Sequence, residues 1–155
     1  MKIEKTILAM VVFGLSLTAK AEVKMYGLPI KIGDSIEEVQ KALRTKMEPE
    51  PYQSPAAQGA NPVKKLQLRL KTKGVWVIFE KEKAVTIRVD APFSGNIDGV
   101  KLGDPERKIE KTFGKAVKQG SLGSSTTYQY YFNDITTTQF VVNNGGTLET
   151  IFLLK

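Results

Sequence analysis

The sequence predicts an α+β fold in which one helix-and-meander unit occurs twice. Three observations predict it. Ile30-Lys31-Ile32-Gly33-Asp34-Ser35 returns 70 positions later as Val100-Lys101-Leu102-Gly103-Asp104-Pro105. The register then persists, with Val39 matching Ile109, Lys41 matching Lys111 and Leu43 matching Phe113. Self-similarity of this kind marks a duplicated supersecondary unit. Each copy continues into a helix-period stripe and then into three β-rich runs separated by short turns, the pattern of an antiparallel meander. One such unit leaves a sheet face poorly covered, whereas two can share a core. The expectation is therefore a single domain over residues 22–155 made of two tandem repeats, about 22–94 and 95–155. Each repeat is a helix and loop followed by a three- to four-stranded antiparallel meander.

Ahead of the repeats lies a leader. Lys2 and Lys5 make a weakly basic start, residues 7–17 are uncharged and apolar, and Ala19-Lys20-Ala21 supplies a small-x-small cleavage pattern. This reads as a signal peptide spanning 1–21, too short for a membrane span. Cleavage after Ala21 would put Glu22 first, where a lipoprotein carries cysteine, so a soluble and unanchored periplasmic protein is expected. The chain has no cysteine at all, so its core must hold the fold without disulfides. Removing Lys2, Lys5, Lys20 and Glu4 takes 23 basic and 16 acidic residues to 20 and 15, a net charge of +5. The remaining charges are interspersed, as in Lys81-Glu82-Lys83. Export and the lack of any basic run longer than two residues count against nucleic acid; a mild preference for an acidic protein surface remains.

In the first repeat Asp34 or Ser35 caps the helix, and Glu38, three residues after Ser35, completes a capping box. Ile36, Val39, Ala42 and Leu43 share one face. In the second repeat Asp104 is the expected cap, with Pro105 at the first helical position, Ile109 and Phe113 as the buried stripe and Gly114 closing the helix. Gly33 and Gly103 serve a tight turn into each helix. Breaker-rich loops follow, long and proline-rich over 48–61 in the first repeat, short and Gly/Ser-rich over 120–126 in the second. The strands are then expected at 66–70, 75–80 and 85–90, and at 128–132, 135–142 and 147–154.

Alternation assigns the faces. Leu66, Leu68, Leu70, Val85, Ile87 and Val89 point inward, while Gln67, Arg69, Thr86, Arg88 and Asp90 point outward. The run Val75-Trp76-Val77-Ile78-Phe79 is apolar on both sides, so one of its sides lies away from the helix. The outer face thus combines Arg69, Arg88, Gln129, Tyr131 and Gln139 with Trp76 and Ile78. Tyrosine, tryptophan and arginine are the types enriched at protein interfaces. Trp76 and Tyr131 read equally well as core covered by the other repeat. The partner-binding set is Tyr52, Arg69, Trp76, Arg88, Tyr131 and Gln139, with Tyr52 as the anchor of the proline-rich loop.

The chain contains no histidine and no cysteine. That removes Ser-His-Asp triads, thiol nucleophiles and the usual zinc sites. The carboxylates fall at helix starts and in turns, where capping and solvation account for them. Neither an enzyme, a metal nor a cofactor is expected.

The pattern Ile32-Gly33-Asp34-Ser35-x-x-x-Val39-x-x-x-Leu43 and its second copy, Leu102-Gly103-Asp104-Pro105 to Phe113-Gly114, resemble a module of two exported families. These are the BamE-type outer-membrane assembly lipoproteins and the β-lactamase inhibitory protein (BLIP), which carries the module in tandem. Tandem copies without a lipid cysteine resemble the inhibitor more. The resemblance implies a concave sheet surface and loops that grip a partner enzyme. None of that family's contact residues can be placed in this chain, and its disulfides are absent. The expected function is a periplasmic binding protein that inhibits or neutralises a protein partner, an envelope hydrolase or a toxin in the manner of an immunity protein. The alternatives are an envelope assembly module and a small-ligand carrier.

Overall fold

The computed structural model describes residues 24–52, 64–132 and 136–155. The signal peptide, its cleavage after Ala21 and most of the proline-rich stretch, 53–61, lie outside the described residues. The elements in chain order are β1 (Met25–Tyr26), α1 (Ile36–Ala42), β2 (Glu50–Pro51), β3 (Lys65–Leu70), β4 (Val75–Glu80), β5 (Lys83–Asp90), β6 (Asn96–Ile97), β7 (Val100–Lys101), α2 (Glu106–Phe113), β8 (Lys118–Leu122), β9 (Ser125–Tyr131), β10 (Thr137–Val142) and β11 (Leu148–Leu154). They form two antiparallel sheets. A small one has the order β1-β6-β7, and a large one has the order β2-β3-β4-β5-β11-β10-β9-β8. The two meanders join where β5 pairs with β11, Ile87 lying opposite Leu153.

The α+β expectation of helix-loop repeats is overturned: the protein is mostly β. Its α-helices are only seven and eight residues long among the described residues, and the large sheet has eight strands. Strands form where the sequence suggested loops. Residues 118–122 carry no apolar alternation and are exposed throughout, yet they make the edge strand β8. The Gly/Ser-rich stretch expected as a loop is instead mostly strand, with only Gly123-Ser124 left as the turn of the β8–β9 hairpin and Gly123 at φ +61°. Glu50–Pro51 likewise form an edge strand against β3, an edge being where a sheet tolerates proline. An edge strand needs no buried side, so it leaves no period-2 signature to read.

The two junctions into the helices are built alike. Gly33 N–H donates to the Ala84 carbonyl and Gly103 N–H to the Leu148 carbonyl, each at 2.8 Å. Asp34 and Asp104 each accept the backbone N–H three residues back, from Lys31 and Lys101, at 2.8 Å. Gly33 and Gly103 have φ of +94° and +88° with open space where a Cβ would sit. They are needed for conformation, not for room. The caps differ. Ser35 and Glu38 form the expected capping box, whereas Asp104 is not the α2 cap. That position is Pro105, which makes no side-chain bond. The Asp104 carboxylate turns backward to Lys101 and also accepts from Lys108 at 2.8 Å.

The core lies on the helix side of the large sheet. Val39, Leu43 and Ile109 from the helical segments meet Leu68, Val77, Ile87, Tyr130, Phe140 and Ile151 from the strands. Phe113 stacks among Tyr130, Phe132 and Phe140, with ring centroids at 5.7, 4.9 and 5.5 Å. Gly74 closes the turn after β3 at φ +64°, and a Cβ there would stand 2.0 Å from the Asp90 carbonyl oxygen. The expected inward set on β5 needs one correction. The register slips between Ile78 and Phe79, so Ala84 rather than Val85 lies opposite Phe79. Ala84 is fully buried and Val85 only half-buried. A bulge of this kind moves one residue across the sheet.

Candidate protein-binding face

The side of the large sheet away from the helices carries an ordered row of side chains. In cross-strand register, Arg69 on β3 faces Trp76 on β4, and Trp76 faces Arg88 on β5. Arg88 faces Phe152 on β11, and Phe152 faces Gln139 on β10. Gln139 faces Gln129 on β9, and Gln129 faces Lys118 on β8. One line thus crosses seven of the eight strands. A second line beside it runs Gln67, Ile78, Thr86, Leu154, Thr137, Tyr131. Trp76, Ile78, Phe152 and Leu154 are half-buried, and none belongs to the core on the other side.

The first-half end of the row is the more constructed. The Arg69 guanidinium lies 4.9 Å from the Trp76 ring centroid and that of Arg88 lies 5.4 Å from it. Arg88 also sits 5.5 Å from the Phe152 ring. Each such contact contributes about 0.5–1 kcal/mol at an exposed site. Arg88 is aimed by Asp90, whose oxygens accept from its Nε at 2.8 and 3.1 Å. Asp90 is in turn held by the Thr150 hydroxyl, which donates at 2.6 Å. Tyr52 follows β2, donates its N–H to the Lys65 carbonyl at 3.0 Å and brings its ring edge-on to Trp76 at 6.1 Å. The Trp76 indole N–H is buried and makes no hydrogen bond among the described residues. A buried unpaired donor costs about 1–3 kcal/mol.

The expected partner-binding residues therefore fall into two groups. Tyr52, Arg69 and Arg88 each contact Trp76. Gln139 lies further along the same row and Tyr131 at the far end of the second line, four strand spacings or about 19 Å from Trp76. Tyr131 is 46% exposed, and its hydroxyl accepts from Gln129 Nε2 at 2.8 Å. Of the two readings of Trp76 and Tyr131, the outer-face one holds, since neither is in the core. Phe152, which joins the two groups, was not among the expected residues. The run Ile151-Phe152-Leu153-Leu154 is apolar on both sides, so alternation alone could not assign Phe152 to a face.

No protein-family model matches the chain, and no curated protein matches it. Among solved structures it is similar to the crystal structure of a DUF4309 family protein, YjgB, from Bacillus subtilis subsp. subtilis str. 168. The identity is 16% over 83% of this chain and 82% of that chain, with a TM-score of 0.48. Neither the BamE-type nor the BLIP-type resemblance finds a counterpart among these matches. No helix among the described residues is long and apolar enough to cross a membrane.

Proposed function

We propose that this chain is an exported, non-enzymatic binding protein that inhibits or neutralises a protein partner through the outer sheet face. The observation that carries the reading is the Arg69-Trp76-Arg88-Phe152 row with Tyr52 edge-on to it. Aromatic rings offer large contact area at low rotamer cost, and stacked guanidinium groups are already held in place. The partner surface that fits is acidic opposite Arg69 with apolar flanks, because Arg69 makes no ion pair among the described residues whereas Arg88 is paired with Asp90. The proposed setting is the periplasm after cleavage behind Ala21. N-terminal sequencing of the periplasmic fraction is the check, and an intact Met1 would exclude it.

The test of function is affinity capture from periplasm and from toxin-armed competitor cells. The wild-type protein is compared with Trp76→Ala, Tyr52→Ala and Arg88→Ala. Lys83→Ala is the control, since Lys83 is exposed and bridges Ser35, away from the row. A hydrolase or toxin recovered with the wild type and Lys83→Ala, lost with the other three and inhibited by the pure protein, is the expected result. A partner whose activity is unchanged in the complex would replace inhibition by an assembly role.

A further inference from the structure

We infer that a second, separate site on the helix side of the sheet takes an amphiphile with one alkyl chain and a terminal carboxylate. An open cleft of about 790 Å³ lies between the β1 segment, α1 and the ends of β9, β10 and β11. That volume is in the range of small-molecule sites. It is distinct from the row described above, because Leu153 and Thr138 line it while their neighbours Phe152 and Gln139 belong to the opposite face.

The lining sets the ligand class. The buried floor is aliphatic, with Ile30 and Ile97 at its base, and Phe132 and Leu153 stand in the wall. Thr136 and Thr138 are the neutral polar side chains among the lining residues. A ligand rich in polar groups would lose hydration there with few replacements. The rim is different. Lys24, Lys31 and Lys41 border the cleft, are exposed and make no ion pair among the described residues. Asp34 and Glu38 stand beside them and keep their charge, so three ammonium groups and two carboxylates leave the rim at a net +1. Asp34 accepts the Lys31 backbone N–H at 2.8 Å and Glu38 the Ser35 backbone N–H at 2.6 Å. Apolar walls under a rim of net positive charge match an alkyl chain with one anionic end.

The test uses the purified protein and the fluorescence of cis-parinarate, with dodecanoate and dodecanol as competitors. The expected result is saturable binding of one parinarate per chain, displaced by dodecanoate and about tenfold or more less well by dodecanol. Ala42→Trp, which fills the cleft from α1, should weaken both competitors about tenfold or more. The surface double variant Lys31→Glu/Lys41→Glu should weaken dodecanoate alone. Trp76→Ala should change neither. Binding without saturation at one per chain, or binding indifferent to both the charge reversal and Ala42→Trp, overturns the site. If Ala42→Trp alters the unfolding midpoint, the lysine variant decides, since both lysines are exposed.

Discussion

The two halves of the large sheet turn the same face to solvent and furnish it differently. On the first-half strands the row reads Arg69, Trp76, Arg88, with rings and guanidinium groups stacked on one another. On β10 and β9 the same row reads Gln139, Gln129, two neutral amides. The helix sides differ as well. Beside α2 the rings of Phe113, Tyr130, Phe132 and Phe140 cluster and a cleft of about 380 Å³ stays open, whereas the cleft beside α1 is about 790 Å³. Yet the glycine-aspartate junctions make matching backbone hydrogen bonds. A shared backbone with unequal side chains puts the arginine–tryptophan cluster on the first-half strands.

The largest effect should come from separating the halves. We propose that 22–155 unfolds as one unit, because β5 has β11 as its neighbour and would otherwise be an open edge. Residues 22–94 alone should show no cooperative urea transition. A sharp transition would make the first half an independent domain, and the comparison would become one between two domains.

Truncating the helix stripe comes next. Leu43→Ala and Phe113→Ala should each cost about 2–5 kcal/mol by denaturant melts. The Phe113 variant should fall at the upper end, since three rings surround it. Equal costs would mean that the aromatic filling adds nothing over the aliphatic one. At the junctions the effects are smaller. Ser35→Ala removes a capping box and should cost about 1 kcal/mol, while Lys108→Ala removes a part-buried i,i+4 pair and should cost about 0.5–1 kcal/mol.

The smallest effect is one of pH. Burial, and then the bond to Glu106, push the Tyr128 hydroxyl up to about 12. A phenol whose folded pKa is raised contributes stability that is complete below the unfolded value near 10 and is lost as pH rises toward 12. The stability of the wild type relative to Tyr128→Phe should thus stay level to about pH 10 and decline above it. A level difference through pH 12 would show that Glu106 does not hold Tyr128.

The parts legible in the sequence are those with strong local rules. The capping box at Ser35 and Glu38, the positive φ of Gly33 and Gly103, and the outward placement of Arg69 and Arg88 follow from single residues and period-2 alternation. Fold class was not legible in the same way. Strands β2, β6, β7 and β8 are short or polar, and their state is set by pairing partners distant in sequence. Asp104 sits where a cap belongs, but its carboxylate bonds backward to Lys101. Val85 lost its inward place to a bulge in its own strand, where Ile78 pairs with Thr86 and Phe79 with Ala84. Phe152 was hidden because both faces of its strand are apolar.

The measurement closest to the proposed function is the affinity of the captured partner for Trp76→Ala beside Gln139→Ala. The two positions lie in one row of one sheet face, so they separate the halves directly. A loss of about 2 kcal/mol or more is predicted for Trp76→Ala, against a few tenths, roughly, for Gln139→Ala. Unchanged affinity for Trp76→Ala with an intact unfolding midpoint, or equal losses at both positions, would contradict a binding surface centred on the first half.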